Sequence, residues 1–385
     1  MKQKSIIALM SLLLAIMMLI SLFAPRKVVS VNAEEVKTLC SAKSMCVIEQ
    51  TSKRVLMEKD KDIQLPMAST TKVMTALIAL ENCQNLDETF AVDNRAVGIE
   101  GTSIYLRKNE HLSMRELLYG LMLNSGNDAA MAIAYRIGEG DEQKFVDLMN
   151  EKAKQLNLEN THFDNPHGLD SKTHYTSSYD LAVISAKAME NADFREIVKT
   201  DVKEISAPKE MGHRFVRNKH KLLKKMEGCE GIKTGFTDNA RRCCVTSCLR
   251  NGMRLICVVL NCNDMFEESQ KCLESCFKDY TLTTIVEPYK YIGKTLVVNS
   301  PKEEIDLYVK EGFSYPLKEN EIEDIKVESN YDDVVEAPKD KDYEVGELKV
   351  TFKNDLIYSQ KICTIEEVKE KNLGDKVKDI IDNWY

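Results

Sequence analysis

The sequence predicts an α+β protein in which an antiparallel sheet with a helical cluster is followed by a small all-β domain and a C-terminal amphipathic helix. Three observations predict it. Val73 to Leu80 is apolar almost all round for about two turns, as expected of a helix buried on every side. Cys243 to Cys248 and Met253 to Leu260 flank the turn Arg250-Asn251-Gly252 as a hairpin, which makes the sheet antiparallel there. Residues 290 to 363 hold short β-rich runs, Thr295 to Val298, Ile305 to Val309, Ile325 to Val327 and Leu348 to Phe352, divided by charged turns.

At 385 residues the chain can bury a large core and a smaller one, and 43% hydrophobic with 30% charged residues is a globular composition. A formal net charge of −8 without a concentrated basic surface argues against nucleic acid as a partner. Residues 1–33 read as a signal peptide: Lys2 and Lys4 form its basic start, Ile6 to Phe23 its apolar run, and Val31-Asn32-Ala33 its small-residue cleavage site. An uncleaved anchor is the rival, since the 18 apolar residues just span a bilayer. Either way the remainder is expected outside the cytoplasm. Of the 12 cysteines, eight lie between Cys229 and Cys276, with no Cys-x-x-Cys pair; they are expected to be small buried residues with free thiols. No metal is expected, because the six histidines make no cluster at ligand spacing.

Taken in order, Met45 to Ile48 and Val55 to Met57 flank the polar stretch Glu49 to Arg54, with Thr51-Ser52-Lys53 as the turn of a first hairpin. Pro66 resists helix continuation upstream, so Ser69 stands at the start of the central helix. Gly98, Gly101 and Asn109 mark turns in the segment up to His111. Ser113 to Glu116 carries a Ser-x-x-Glu capping box that opens a helix through Leu117, Leu118, Leu121, Met122 and Leu123. It stops at Asn124-Ser125-Gly126-Asn127-Asp128, and a second helix follows from Ala129 to Ile137. That polar loop between buried helices projects Ser125 and Asn127 where a cleft can form. Asp164 to Asp170 is dense in turn formers, and His174 to Asp180 leads into a helix from Leu181 to Met189. His167 and His174 are expected to donate within these loops, since no acid is spaced to orient them for catalysis. Gly228 to Thr237 begins as a turn and continues as a strand, where Gly235 lets another backbone approach and leaves the next amide free to donate to a substrate oxygen. At the end of the chain, Val377, Ile380, Ile381 and Trp384 share one helical face, which reads as an interfacial membrane anchor rather than a core helix.

The chemistry sits at Ser69 and Lys72, three apart and so on one helical face with about 5–6 Å between Cβ atoms. A serine hydroxyl is a weak nucleophile until a base takes its proton, and a lysine is such a base once burial or a nearby cation favours its neutral form. Ser69-Thr70-Thr71-Lys72, Ser125-Gly126-Asn127 and Lys233-Thr234-Gly235 follow one another in that order. Together with Leu65 to Glu81, Asn165 to Leu169 with His174-Tyr175, Gly231 to Thr237 and Asn251 to Ile256, they resemble the low-molecular-mass penicillin-binding proteins, the serine-type D-alanyl-D-alanine carboxypeptidases. The resemblance covers roughly residues 38 to 280, and the β tail with its amphipathic end also fits.

The resemblance implies a β-lactamase/DD-peptidase-like catalytic domain over 34–284, a small β-rich domain over 285–372 and an amphipathic segment over 373–385. It implies hydrolysis of the terminal D-Ala-D-Ala bond of peptidoglycan stem peptides through an acyl-enzyme, covalent inhibition by β-lactams and no cofactor. It also implies association with the membrane surface through the C-terminal segment. Carried over by position, Ser69 is the nucleophile, Lys72 its base and Ser125 a proton relay. Asn127 holds the substrate's peptide amide, Lys233 and Thr234 bind the terminal carboxylate, and the N–H groups of Ser69 and Phe236, beside Gly235, form the oxyanion hole. Three departures stand out. Arg241 and Arg242 occupy positions where the family usually has Gly after Ala240, the family's Arg is missing from Asn261 to Phe266, and His220 replaces the second Asn of an Asn-x-Asn-x-Leu-Leu segment. Arg241 either supplies the lost guanidinium or narrows the cleft. Two other readings therefore stand beside hydrolysis: a cell-wall-binding homologue impaired in turnover, and a β-lactamase, which Ser-Gly-Asn in place of Ser-Asp-Asn disfavours.

Overall fold

The structure is a computed structural model that describes residues 40–382; the signal-peptide reading of 1–33 and Trp384 fall outside them. The chain opens with the expected hairpin, β1 (Ser44–Glu49) and β2 (Val55–Lys59), and the Glu49 carboxylate closes its turn by accepting from the Thr51 and Ser52 amides. A 3-10 turn, Ala68–Thr71, leads into α1 (Lys72–Asn82), in which every residue from Lys72 to Ala79 is buried. The sequence puts Ser69 and Lys72 on a single α-helix. Ser69 instead lies in the 3-10 turn, whose geometry eclipses residues three apart and so still aligns the pair.

β3 (Thr89–Ala91) pairs with β4 (His111–Ser113), and the capping box of Ser113 and Glu116 starts α2 (Met114–Leu123). α3 (Asn127–Ile137) begins at Asn127, two residues before the expected start, with Gly126 as its extended N-cap and the Asp128 carboxylate in its first turn. α4 (Glu142–Gln155), α5 (Ser178–Ala188), α6 (Ala192–Lys199) and the hairpin β5 (Val202–Ile205) with β6 (Arg214–Arg217) follow. β7 (Cys229–Thr237), β8 (Arg241–Arg250) and β9 (Met253–Leu260) then form a meander, and α7 (Met265–Asp279) covers it.

The main sheet has the order β2-β1-β9-β8-β7 and is antiparallel throughout, which leaves β7 at one edge. On one face the sheet and the helices around α1 bury a core that includes Val73, Ile78, Leu118, Ile133, Phe145 and Ile184. On the other, α7 packs over a core to which eight cysteines contribute, Cys40, Cys229, Cys244, Cys248, Cys257, Cys262, Cys272 and Cys276. All 12 thiols are free, and only Cys83 is not fully buried, as expected of small apolar residues.

The remaining strands are β10 (Thr281–Val286), β11 (Tyr291–Val298), β12 (Glu304–Tyr308), β13 (Phe313–Leu317), β14 (Ile325–Tyr331), β15 (Val334–Glu336), β16 (Glu344–Phe352) and β17 (Asp355–Thr364). β10 pairs with β13, and the other six form a sheet of order β14-β16-β17-β12-β11-β15 with its own core around Leu307, Leu348, Val350 and Ile362. One side chain of the first hairpin reaches that region. Arg54 lies against the rings of Tyr280, Tyr315 and Phe352 at 5.2, 5.0 and 4.6 Å, and donates to both Glu321 carboxylate oxygens at 2.8 Å and to the Pro316 carbonyl. In the last helix, α8 (Leu373–Asp382), Leu373, Val377, Ile380 and Ile381 are exposed. Among the described residues no helix is long and apolar enough to cross a membrane.

Candidate active site

The 3-10 turn, the α2–α3 loop, the 165–170 loop and the edge strand β7 converge. Lys72 and Lys233 are both among the largest fully buried side chains of the molecule. Lys72 Nζ lies 3.0 Å from Ser69 Oγ, 2.8 Å from Asn127 Oδ1 and 2.5 Å from the His167 carbonyl oxygen. An ammonium would donate to all three acceptors. A neutral amine keeps two donors for Asn127 and His167 and turns its lone pair to the Ser69 hydroxyl, the arrangement a general base needs. Burial holds Lys72 well below the usual lysine range, and the positive charges of Lys233 and Lys219 push the same way. Lys233 donates to Ser125 Oγ at 3.0 Å and to the Thr234 carbonyl at 2.8 Å. Burial and then Lys219 lower it to about 7.

The nucleophile's backbone is held in an unusual shape. Ala68, just before Ser69, has φ +49°, and Ser125 has φ +66°, a left-handed region that costs a non-glycine residue about 1 kcal/mol or more. The 165–170 loop fixes the first of these. Thr71 Oγ1 donates to the Ala68 carbonyl at 2.8 Å and receives the His174 ring at 2.8 Å. His174 Nδ1 accepts from the Asp164 amide at 3.0 Å, so its proton is on Nε2, and burial lowers its pKa to about 4, which keeps the ring neutral. His167, lowered to about 3 chiefly by burial, is neutral too. The two histidines are thus loop-stabilising, as the sequence suggests, and place no positive charge beside Lys72. Gly168 has φ +92°, and a Cβ there would meet the Ala68 carbonyl oxygen at 2.0 Å. A Cβ on Gly235 would lie 2.9 Å from the Ser69 amide nitrogen, so the backbones of Ser69 and β7 meet because that position of the strand is glycine.

Asn127 is more constrained than the sequence suggests. Its Oδ1 accepts from Lys72, and its Nδ2 donates to the Glu100 carbonyl at 2.6 Å. A carbonyl oxygen has a second lone pair, which is what remains for a substrate N–H. The fully buried Asp128, read in the sequence only as part of a turn, accepts from the amides of Ile104 and Leu106 and from Ser103 Oγ, and so fixes the strand of loop that lines Asn127. Its position directly after Asn127 at a helix start is the signal that marks it. Lys219 is the other residue the sequence reading missed; it is exposed, and its charge acts on both buried lysines. Thr234 and Phe236 lie on β7 facing away from Gly235; Phe236 is 58% exposed. No group of three or more His, Cys, Asp or Glu among the described residues is placed to hold a metal.

Known proteins resemble this chain over most of its length. A family model described as D-alanyl-D-alanine carboxypeptidase matches residues 29–264, and one described as the C-terminal domain of penicillin-binding protein 5 matches residues 280–370. The chain is 30% identical to D-alanyl-D-alanine carboxypeptidase DacF of Bacillus subtilis, with 97% of each chain covered. It is 28% identical to DacD of Escherichia coli, covering 88% of this chain and 89% of that one. Among solved structures, penicillin binding protein 5 from Haemophilus influenzae superposes with a TM-score of 0.71 at 25% identity over 86% of this chain and 98% of that chain. The Streptomyces K15 DD-transpeptidase does so with 0.59 at 30% identity over 62% and 98%. With more than half of its length matched by that first model, the chain belongs to the D-alanyl-D-alanine carboxypeptidase family.

Proposed function

We propose that this protein removes the terminal D-alanine from peptidoglycan stem peptides that end in D-Ala-D-Ala, through an acyl-enzyme on Ser69. The observation that carries the reading is the 3.0 Å approach to Ser69 Oγ of a fully buried Lys72, whose pKa burial holds well below the usual lysine range. Lys72 takes the hydroxyl proton as Ser69 attacks the scissile carbonyl, and the amides of Ser69 and Phe236 stabilise the oxyanion. Ser125, hydrogen-bonded to Lys233, relays to the departing D-alanine nitrogen the proton that Lys72 took from Ser69, so that Lys72 is neutral again for the second step. Lys233 in its cationic form and Thr234 hold the terminal carboxylate, and the free lone pair of Asn127 Oδ1 orients the peptide. Water then hydrolyses the ester by the same base.

A β-lactam enters the same pathway and stays on Ser69 because its leaving group remains tethered. The protein is exported by residues 1–33 and acts outside the cytoplasm. The exposed apolar stripe of α8 lies on the membrane surface. Intact-protein mass spectrometry with benzylpenicillin tests the acylation step. One stable adduct, mapped to the peptide holding Ser69 and absent in Ser69→Ala, is expected; fast release of penicilloate would make the protein a β-lactamase instead. The strain at Arg241, φ +58° where a glycine would be at ease, favours a second reading, stem-peptide binding without turnover.

A further inference from the structure

We propose that β14 is a dimerisation edge, to which a second copy of this chain adds its own β14 antiparallel, with Val327 on the two-fold axis. β14 is the outermost strand of the six-stranded sheet, and every residue from Lys326 to Asn330 is exposed. The opposite edge, β15, is only Val334–Glu336. A sheet edge presents unpaired N–H and C=O groups and so is a template for a further strand.

The ladder to β16 shows which of these groups are open. The two strands pair without a register shift, and the bonding continues past both ends: the Lys353 amide donates to the Asp324 carbonyl at 3.2 Å, and the Asp332 amide to the Val345 carbonyl at 2.9 Å. Bonded positions alternate along an antiparallel strand. Lys326, Glu328 and Asn330 therefore turn their backbone groups to β16, and Ile325, Val327 and Ser329 turn theirs outward. The amides and carbonyls of Val327 and Ser329 have no backbone partner among the described residues. The Ile325 amide is taken by the Ile322 carbonyl, which leaves the Ile325 carbonyl open.

Charge selects the occupant and its register. Lys326 and Glu328 flank Val327 and project from one face of the strand. Glu328 has no hydrogen bond or ion pair among the described residues, and Lys326 reaches only the Asn354 side chain, at 3.5 Å. Two copies placed antiparallel about Val327 set Lys326 of each directly opposite Glu328 of the other, twice by symmetry. The open backbone groups meet in the same register: Val327 bonds to Val327, and the Ser329 amide of each copy meets the Ile325 carbonyl of the other. Moving the centre by one residue opposes Glu328 to Glu328 or Lys326 to Lys326, which repel. Lysine on an edge strand ordinarily discourages a further strand, but here a glutamate two residues away answers it. So short a ladder buries little area, and the dimer is weak and concentration-dependent.

Sedimentation velocity of the mature protein over a concentration series tests this, using wild type, Val327→Pro, Lys326→Glu and the double exchange Lys326→Glu with Glu328→Lys. Proline at 327 removes a donor that the ladder to β16 does not use, so Val327→Pro is expected to be monomeric and to melt as wild type does. Lys326→Glu should weaken the dimer about tenfold, and the double exchange should restore it, since each pair returns with its signs reversed. A wild type that stays monomeric up to about 1 mM overturns the proposal. So does association that survives Val327→Pro, which would move it to another surface such as the α8 stripe. A marked fall in the melting temperature of Val327→Pro would show that amide bonded to β16 and overturns it as well. A double exchange no tighter than Lys326→Glu overturns the register, as a centre at Ser329, which opposes Lys326 to Asp332, would require.

Discussion

Around Lys72 Nζ stand three acceptors and, among the described residues, no carboxylate within hydrogen-bond distance, and burial is the chief cause of its lowered pKa. Lys233 is in a different position: with Lys72 uncharged it feels Lys219 rather than its neighbour, and its pKa falls only to about 7. Its cationic form, the one that holds a carboxylate, is therefore present below about pH 7 and lost above it. We expect kcat/KM for a free D-Ala-D-Ala peptide to fall tenfold per unit above that value. The limb should vanish in Lys233→Arg, whose guanidinium stays charged; a profile flat to pH 9 in wild type would contradict the assignment. Removing the base is the second residue-scale prediction. Lys72→Ala should slow acylation by benzylpenicillin by about 10² to 10⁴ without loss of fold, since a buried lysine gives up a desolvated amine; acylation at the wild-type rate would rule Lys72 out.

At the scale of elements, the site is assembled by backbones that touch. The 165–170 loop lies on the Ala68 carbonyl at Gly168, and β7 lies on the Ser69 amide at Gly235. Gly168→Ala must both adopt φ +92° with a side chain and move the 3-10 turn. It should lower Tm by several degrees, as about 2 kcal/mol does in a domain of this size, and cut acylation more than Lys233→Ala cuts it. Thermal melts with stopped-flow acylation check both; an unchanged melt would mean the loop is not packed as described. These contacts also explain what could be read in advance. The sequence singles out Ser69, Lys72, Ser125, Asn127 and Lys233, which the fold brings together, because each motif is short and local, and hairpins such as β8–β9 were legible because their turn residues and alternation lie in one stretch. The 3-10 turn was not, since Ala68 is forced left-handed by Gly168, a hundred residues away. Asp128 was hidden in the same manner: its partners, Ser103, Ile104 and Leu106, belong to a loop with no pattern of its own. The β5–β6 hairpin and α7 were missed for a third reason. Charged residues are frequent in both segments, and buried apolar positions such as Ile205, Val216, Cys272, Leu273 and Cys276 reveal the packing.

For the whole molecule, the first hairpin and the β-rich region beyond Thr281 are joined through Arg54, caged by three aromatic rings and paired with Glu321 where both side chains are only 10% exposed. Removing Arg54 leaves Glu321 with Lys353, at 3.3 Å, as its remaining cation and takes away the charged hydrogen bonds, at a cost of about 1.5–3 kcal/mol. Arg54→Ala should make the β region melt separately and open the chain to protease near Thr281, with penicillin acylation retained; a single unchanged transition would show that the contact does not couple the two parts. The exposed stripe Leu373, Val377, Ile380 and Ile381 points to the other end of the molecule's task. Full-length protein should sediment with liposomes more than a chain ending at Asn372, and equal sedimentation would remove the membrane from the account. All of this serves one claim, that Ser69 activated by Lys72 cleaves a terminal D-Ala-D-Ala bond. Its most direct test is D-alanine release from a stem-peptide analogue by the mature protein and by Ser69→Ala. Release by the first and none by the second is the predicted result; no release from either would contradict the claim and leave a protein that binds the wall peptide without cutting it.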